Sequence, residues 1–386
     1  MSIANENFFL QIFVDAYELP LQTMPLVKLA LHSRLRTHVP VGELVLSDPL
    51  LLNNRLLNIS DGTPISIRVG TSSARSSLYK FRAFKPKSLP SESSDSVHVS
   101  MYADHPDYWL TRTTKPFEGN SSALIEYVAG LSGLIAKVDA TGDSQVWLPM
   151  NKRLCEFVDM AARAGYISAK SCMQHGVRLD RTLVYKNVDD LNYSGAAKFQ
   201  TGLYGDPGAK LWPCLSYRSI PVSGYANSTG GYAATQVSDS LVVDDVVHKE
   251  VTKSLKNSVM YMNTNLADKY KGNGRVSMAP IDAGNTHAKY QQALYQNKRS
   301  SAINSGRLDL VTNQWTELDL IDTVITALVK LGTTEVDSVH LDDDASGKHY
   351  VGAKSVYLDL RGNYYERFTL IRDGHSINKN KQSRDK

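Results

Sequence analysis

The residues most suggestive of chemistry are the run GLYGDPGAK at 202–210, in which glycines precede Lys210. A phosphate loop wraps backbone N–H groups and an ammonium around a nucleotide, but it needs Gly directly followed by Lys and then Ser or Thr. Here Ala209 separates Gly208 from Lys210 and Leu211 follows, so a Pro-Gly turn is the better account. Asp342, Asp343 and Asp344 could gather around calcium. An EF-hand, however, spaces its ligands at alternate positions and closes with a distal Glu, whereas three consecutive side chains radiate apart, and a solvated acidic turn is expected. Ser77 and Lys80 have a Ser-x-x-Lys spacing, yet they sit inside an alternating strand pattern, without the companion motifs of serine acyltransferases, and no G-x-S-x-G occurs. His175, His248, His287, His340 and His349 include no H-E-x-x-H, and each reads as a surface or satisfied polar residue. A glycosidase carboxylate pair leaves no local signature, and any of 39 acidic residues could serve. The expectation is no catalytic residue, no cofactor or cofactor-binding residue, no metal ligand, and no enzyme activity of a motif-bearing class.

The elements that would have to position such groups belong to an ordinary soluble chain. Its 386 residues, 42% hydrophobic and 21% charged, suffice for two or three domains. No run of eighteen apolar residues exists and the first twenty residues lack a basic n-region, so neither a membrane span nor a secretory signal is expected. Cys155, Cys172 and Cys214 show no C-x-x-C spacing and read as buried thiols of a chain made in a reducing cytoplasm. A net charge of +4 without a clustered basic face does not argue for nucleic acid.

Strand patterning dominates the first third. Ile65, Ile67 and Val69 alternate with Ser66 and Arg68, and the pattern repeats through Tyr79, Phe81, Ala83 and through Val97, Val99, Met101, with turn clusters between. Parallel strands would need crossover helices that are missing here, which points to an antiparallel barrel or sandwich. A helix follows with Asn120 or Ser121 as cap, Leu124, Ile125, Val128 and Leu131 on one stripe and Gly133 as terminator. Another carries Leu154, Phe157, Val158 and Ala161 and ends at Gly165. A strand pair around Asp180-Arg181 closes this mixed stretch. Helical spacing returns between 244 and 304, and strands return at 307–312, 315–325 and 338–341.

The clearest single element is HYVGAKSVYLDLRGNYYERFTLIRDG at 349–374. Val356, Leu358 and Leu360 alternate with polar residues, Gly362-Asn363 supplies a tight turn, and Phe368, Leu370 and Arg372 mark the return strand. This predicts a β-hairpin whose charges, Asp359, Arg361, Glu366 and Arg367, lie at the turn or on a solvated face.

Two blocks, 56–134 and 147–188, and the hairpin itself resemble baseplate hub proteins of contractile-tailed bacteriophages, in element order and in scattered apolar, Gly and aromatic positions. That resemblance implies an α+β, mainly β chain with two antiparallel tail-tube-like β-barrels and a smaller mixed α/β middle region. The implied boundaries are a first barrel over 1–114, the α/β domain over 115–190, and a discontinuous second barrel over 191–240 and 305–375. A helical insertion over 241–304 and a basic tail over 376–386 complete it. It also implies a structural virion protein of the tail baseplate, made in the bacterial host cytoplasm. Its role would be that of a homotrimeric hub between the tail tube protein and the central spike protein, in contact with other baseplate proteins, passing DNA through its lumen without specific binding and touching no membrane. The hairpin would close the second barrel, with an exposed edge and Tyr364-Tyr365 toward a neighbouring subunit. A tail-associated peptidoglycan hydrolase and a glycan-binding or adaptor module are the alternatives.

Overall fold

Period-two alternation builds most of the molecule. The computed structural model describes residues 3–5, 8–89, 95–168, 171–201, 211–213, 216–220, 306–331, 339–341, 347–359 and 362–372. Its N-terminal wing contains β1 (Ile3–Asn5), β2 (Phe8–Val14), β3 (Tyr17–Glu18), β4 (Leu26–Arg34), β5 (Val41–Ser47), β6 (Pro64–Gly70), β7 (Ser76–Leu89) and β8 (Ser96–Ala103). Ile65, Ile67, Val69, Tyr79, Phe81, Ala83, Val97, Val99 and Met101 all fall inside one core, as their alternation requires. Ser77 and Lys80 lie in β7, within a strand as expected.

The middle unit contains α1 (Pro106–Leu110), β9 (Arg112–Thr113), β10 (Phe117–Gly119), α2 (Ser121–Leu131), β11 (Ile135–Val138), β12 (Gln145–Trp147), β13 (Lys152–Arg153), α3 (Leu154–Ala164), β14 (Met173–Val177) and β15 (Thr182–Asn187). Asn120 caps α2, its side chain accepting from the Ala123 N–H at 2.8 Å. Leu124, Ile125 and Val128 are buried, whereas Leu131, expected on the same stripe, is exposed at the last turn. Leu154, Phe157, Val158 and Ala161 of α3 pack against them.

The C-terminal wing holds β16 (Ala197–Thr201), β17 (Leu211–Pro213), β18 (Ser216–Ile220), β19 (Gly306–Thr312), β20 (Thr323–Leu331), β21 (Val339–Leu341), β22 (Gly347–Asp359) and β23 (Tyr364–Arg372). The strand expected over 315–325 begins only at Thr323, because the preceding residues form an irregular segment tied down by side chains. The GLYGDPGAK run, Asp342 to Asp344, His248, His287, Cys214, the 241–304 insertion and the 376–386 tail lie outside the described residues. Among the described residues, no helix is long and apolar enough to cross a membrane.

The hairpin forms as expected, with Gly362 at φ 74° in the turn. Its place in the sheet is not the expected one. One flank of β22 pairs with β23 through Tyr350–Leu358; the other pairs with β20 through Gly347–Tyr350 and then with β4 through Ala353–Asp359. The change of partner coincides with a register shift between Val351 and Ala353, a bulge that bends the strand. β23 in turn pairs with β19, so neither hairpin strand is an edge. Both wings thus belong to one 16-stranded sheet, and among the described residues the pairings do not close into two barrels.

Glu366 corrects the expectation of a solvated charged face. It is fully buried, and so is Lys354, because they share the period-two phase of Tyr364, Phe368, Leu370 and of Val356, Leu358. Lys354 Nζ donates to Leu318 O at 2.7 Å and Thr316 O at 3.2 Å and lies 3.3 Å from Glu366 Oε1. Glu366 also accepts from the Tyr364 and Thr316 hydroxyls, each at 2.6 Å. All three ammonium donors and both carboxylate oxygens have partners, the condition under which a buried ion pair is tolerated. Burial pushes the Lys354 ammonium down, but Glu366 more than reverses it and holds its pKa above the usual lysine range.

Arg367, by contrast, is half-exposed in its 2.8 Å pair with Asp309. Lys354→Met is expected to lower stability by about 3–5 kcal/mol, since Glu366 is left buried without its cation, while Arg367→Met costs under about 1 kcal/mol. Urea unfolding midpoints of the two variants check this, and equal losses would contradict the burial contrast.

Candidate functional site

The polar groups with the most chemistry gather where the middle unit meets the sheet. The β4–β5 connection carries Arg36 and His38 onto β14: the Arg36 N–H donates to His175 O at 2.9 Å and Arg36 Nε to Gln174 Oε1 at 3.1 Å. Gly176 permits this approach, since a Cβ there would stand 3.0 Å from Leu320 Cδ1 and 3.3 Å from Leu35 Cα. On the other side of the turn, Arg178 donates to Leu320 O at 2.5 Å and to Asp322 Oδ1 at 2.6 Å. Asp319 completes the lock, accepting from the Ser33 hydroxyl and the Leu179 N–H, each at 3.1 Å. Burial pushes the Asp319 carboxyl up, opposed by the charges of Lys354 and Arg178.

Within this junction His38, Asp159 and His175 form one cluster. Asp159 projects from α3, His175 from β14, and His38 from the β4–β5 connection. His175 Nε2 lies 2.7 Å from Asp159 Oδ1 and His38 Nε2 3.0 Å from Oδ2, so one carboxylate bridges two rings that stack with centroids 6.3 Å apart. Burial pushes the Asp159 carboxyl up, but hydrogen bonds from His175 and His38, and their charge, override this and hold it well below the usual carboxylate range. Tyr108 packs edge-on against His38, and burial raises its phenol well above the usual range. His105 reaches the His38 carbonyl at 3.1 Å, and burial lowers its pKa to about 4. Two imidazoles and a carboxylate around one point could hold a divalent ion.

Of the histidines weighed in the sequence that fall among the described residues, only His175 enters this cluster. His349 is buried, with Nδ1 3.1 Å from Gly347 O, and His340 lies in β21. His38 and Asp159 carry no sequence signal: they are 121 residues apart, and only the docking of the β4–β5 connection on α3 and β14 joins them. Cys155 and Cys172 are buried, as expected.

The architecture is shared with known tail proteins. A tail protein from Neisseria meningitidis MC58 has a TM-score of 0.57 at 8% identity, over 95% of this chain and 97% of that one. The 43 kDa tail protein of prophage MuSo2 from Shewanella oneidensis has a TM-score of 0.57 at 10% identity, over 96% and 97%. No protein-family model and no curated protein matches the sequence. At such identity the likeness establishes the fold, a mainly β tail-protein architecture.

Removing the guanidinium at the junction should loosen the middle unit. Arg178→Ala is expected to cost about 2–3 kcal/mol, from the loss of charged hydrogen bonds. Hydrogen exchange should then quicken at 319–323 while β6 and β7 stay protected. Unchanged exchange at 319–323 would show that Arg178 does not hold the junction.

Proposed function

We propose that the chain is a structural virion protein, the baseplate hub of a contractile tail, acting as a homotrimeric ring between the sixfold tail tube and a threefold central spike. The observation that carries this reading is the fold shared with two tail proteins over nearly the whole of both chains. The two wings add support. Each has its own apolar cluster, one around Ile67, Phe81 and Val99 and the other around Leu310, Phe368 and Leu370, and they are coupled through the β4–β22 pairing. Three such chains would offer six β-units to a sixfold tube while keeping threefold symmetry toward a spike, a closed ring of heterologous contacts.

In this reading residues 1–114 form one tube-like β-unit, and 191–240 with 305–375 the other, flanking the 115–190 unit. The tail tube protein, the spike protein and other baseplate proteins are the partners, and the location is the virion tail. A lumen that passes DNA without holding it calls for modest charge, and the net +4 is compatible with that.

Sedimentation of the purified full chain is expected to give three times the chain mass, and negative-stain images a three-lobed ring around a hole. A monomer that clears a cell-wall suspension would overturn the proposal in favour of a hydrolase.

A further inference from the structure

We propose that His38, Asp159 and His175 bind a divalent transition ion of the zinc class, which staples the middle unit to the N-terminal wing. The ligand set is right for it: imidazole nitrogens with one carboxylate suit zinc and its neighbours rather than calcium or magnesium, which prefer all-oxygen shells. The spacing is right too. Donor atoms on a tetrahedral zinc with bonds of about 2.0–2.1 Å stand roughly 3.3 Å apart. His175 Nε2 lies 2.7 Å from Asp159 Oδ1 and His38 Nε2 3.0 Å from Oδ2, somewhat closer than that spacing, so the rings would draw back from the carboxylate to admit the ion. All the ligand atoms lie within 4.8 Å of one another.

Access and support are also present. Asp159 and His38 keep 29% and 26% of their side chains exposed, which leaves a path for the ion and a fourth position for water, while His175 is held on the inner side at 10%. On binding, the proton each ring now directs at Asp159 from Nε2 moves to Nδ1 or to solvent, freeing the Nε2 lone pair. Tyr108, fully buried and edge-on to His38, limits the rotation of that ring. The ligands come from three elements and two packing units, so the ion would cross-link segments far apart in the chain, the geometry in which a metal clip restricts the unfolded chain most. None of this depends on the tail-hub reading.

The test uses the untagged full chain, stripped with EDTA, dialysed, and titrated with Zn²⁺ alone at neutral pH. One equivalent is expected to bind at micromolar or tighter affinity and to raise the melting temperature, and Co²⁺ in its place should give visible d–d absorption of a nitrogen and oxygen site. His38→Gln, at a half-exposed position that the fold should tolerate, and Asp159→Asn should each weaken binding at least tenfold and abolish the thermal shift, while His98→Gln leaves both unchanged. Circular dichroism of the metal-free variants checks that they are folded. Absence of one-equivalent binding by the wild type, or binding by His38→Gln and Asp159→Asn equal to it, would overturn the site whatever the oligomeric state proves to be.

Discussion

Every backbone N–H and C=O of a strand buried between neighbours must find a partner, and the long strand β22 meets that requirement by serving both wings. It keeps β23 on one flank from Tyr350 to Leu358 and divides the other between β20 and β4 at a bulge near Gly352. The Leu35 N–H donates to the Gly352 carbonyl at 2.9 Å, satisfying an acceptor where the ladder changes hands. The N-terminal wing extends from β4, and the C-terminal wing from β20 and β23. Shifting β22 by one residue would turn Val356 and Leu358 out of the core and Tyr357 into it, so both wings depend on one register.

Lys354 and Glu366 fill the polar gap that this arrangement leaves. The ion pair lies diagonally across the hairpin and reaches into the irregular segment before β20 through two carbonyls and a hydroxyl. That segment carries Asp319 and Asp322, which engage Ser33 of β4 and the Arg178–Leu179 turn of the middle unit. The polar contacts therefore form one connected path from the hairpin to the α/β unit. A buried charge tolerates few alternative partners, which suits a joint that must assemble in one way.

The middle unit is seated by directional contacts, Arg36 and His38 at one end of β14 and Arg178 at the other, not by a broad apolar face alone. The hub role proposed above rests on the fold shared with two tail proteins.

Local periodicity was enough to read the strands of the first wing, the two long helices of the middle unit and the hairpin, because each buries one face and its repeat is written in consecutive residues. The sequence resemblance to tail hubs reached the mainly β character for the same reason, through element order, but not the way the strands join into one sheet. Burial of Lys354 and Glu366 was legible as well, since both keep phase with the hydrophobic residues around them; the habit of placing charges outside hid it. The partners of β22 and the meeting of His38, Asp159 and His175 were decided only in three dimensions. Strand pairing beyond a hairpin and clusters across packing units depend on long-range contacts, and residues 121 positions apart leave no shared local pattern by which sequence could announce that they touch.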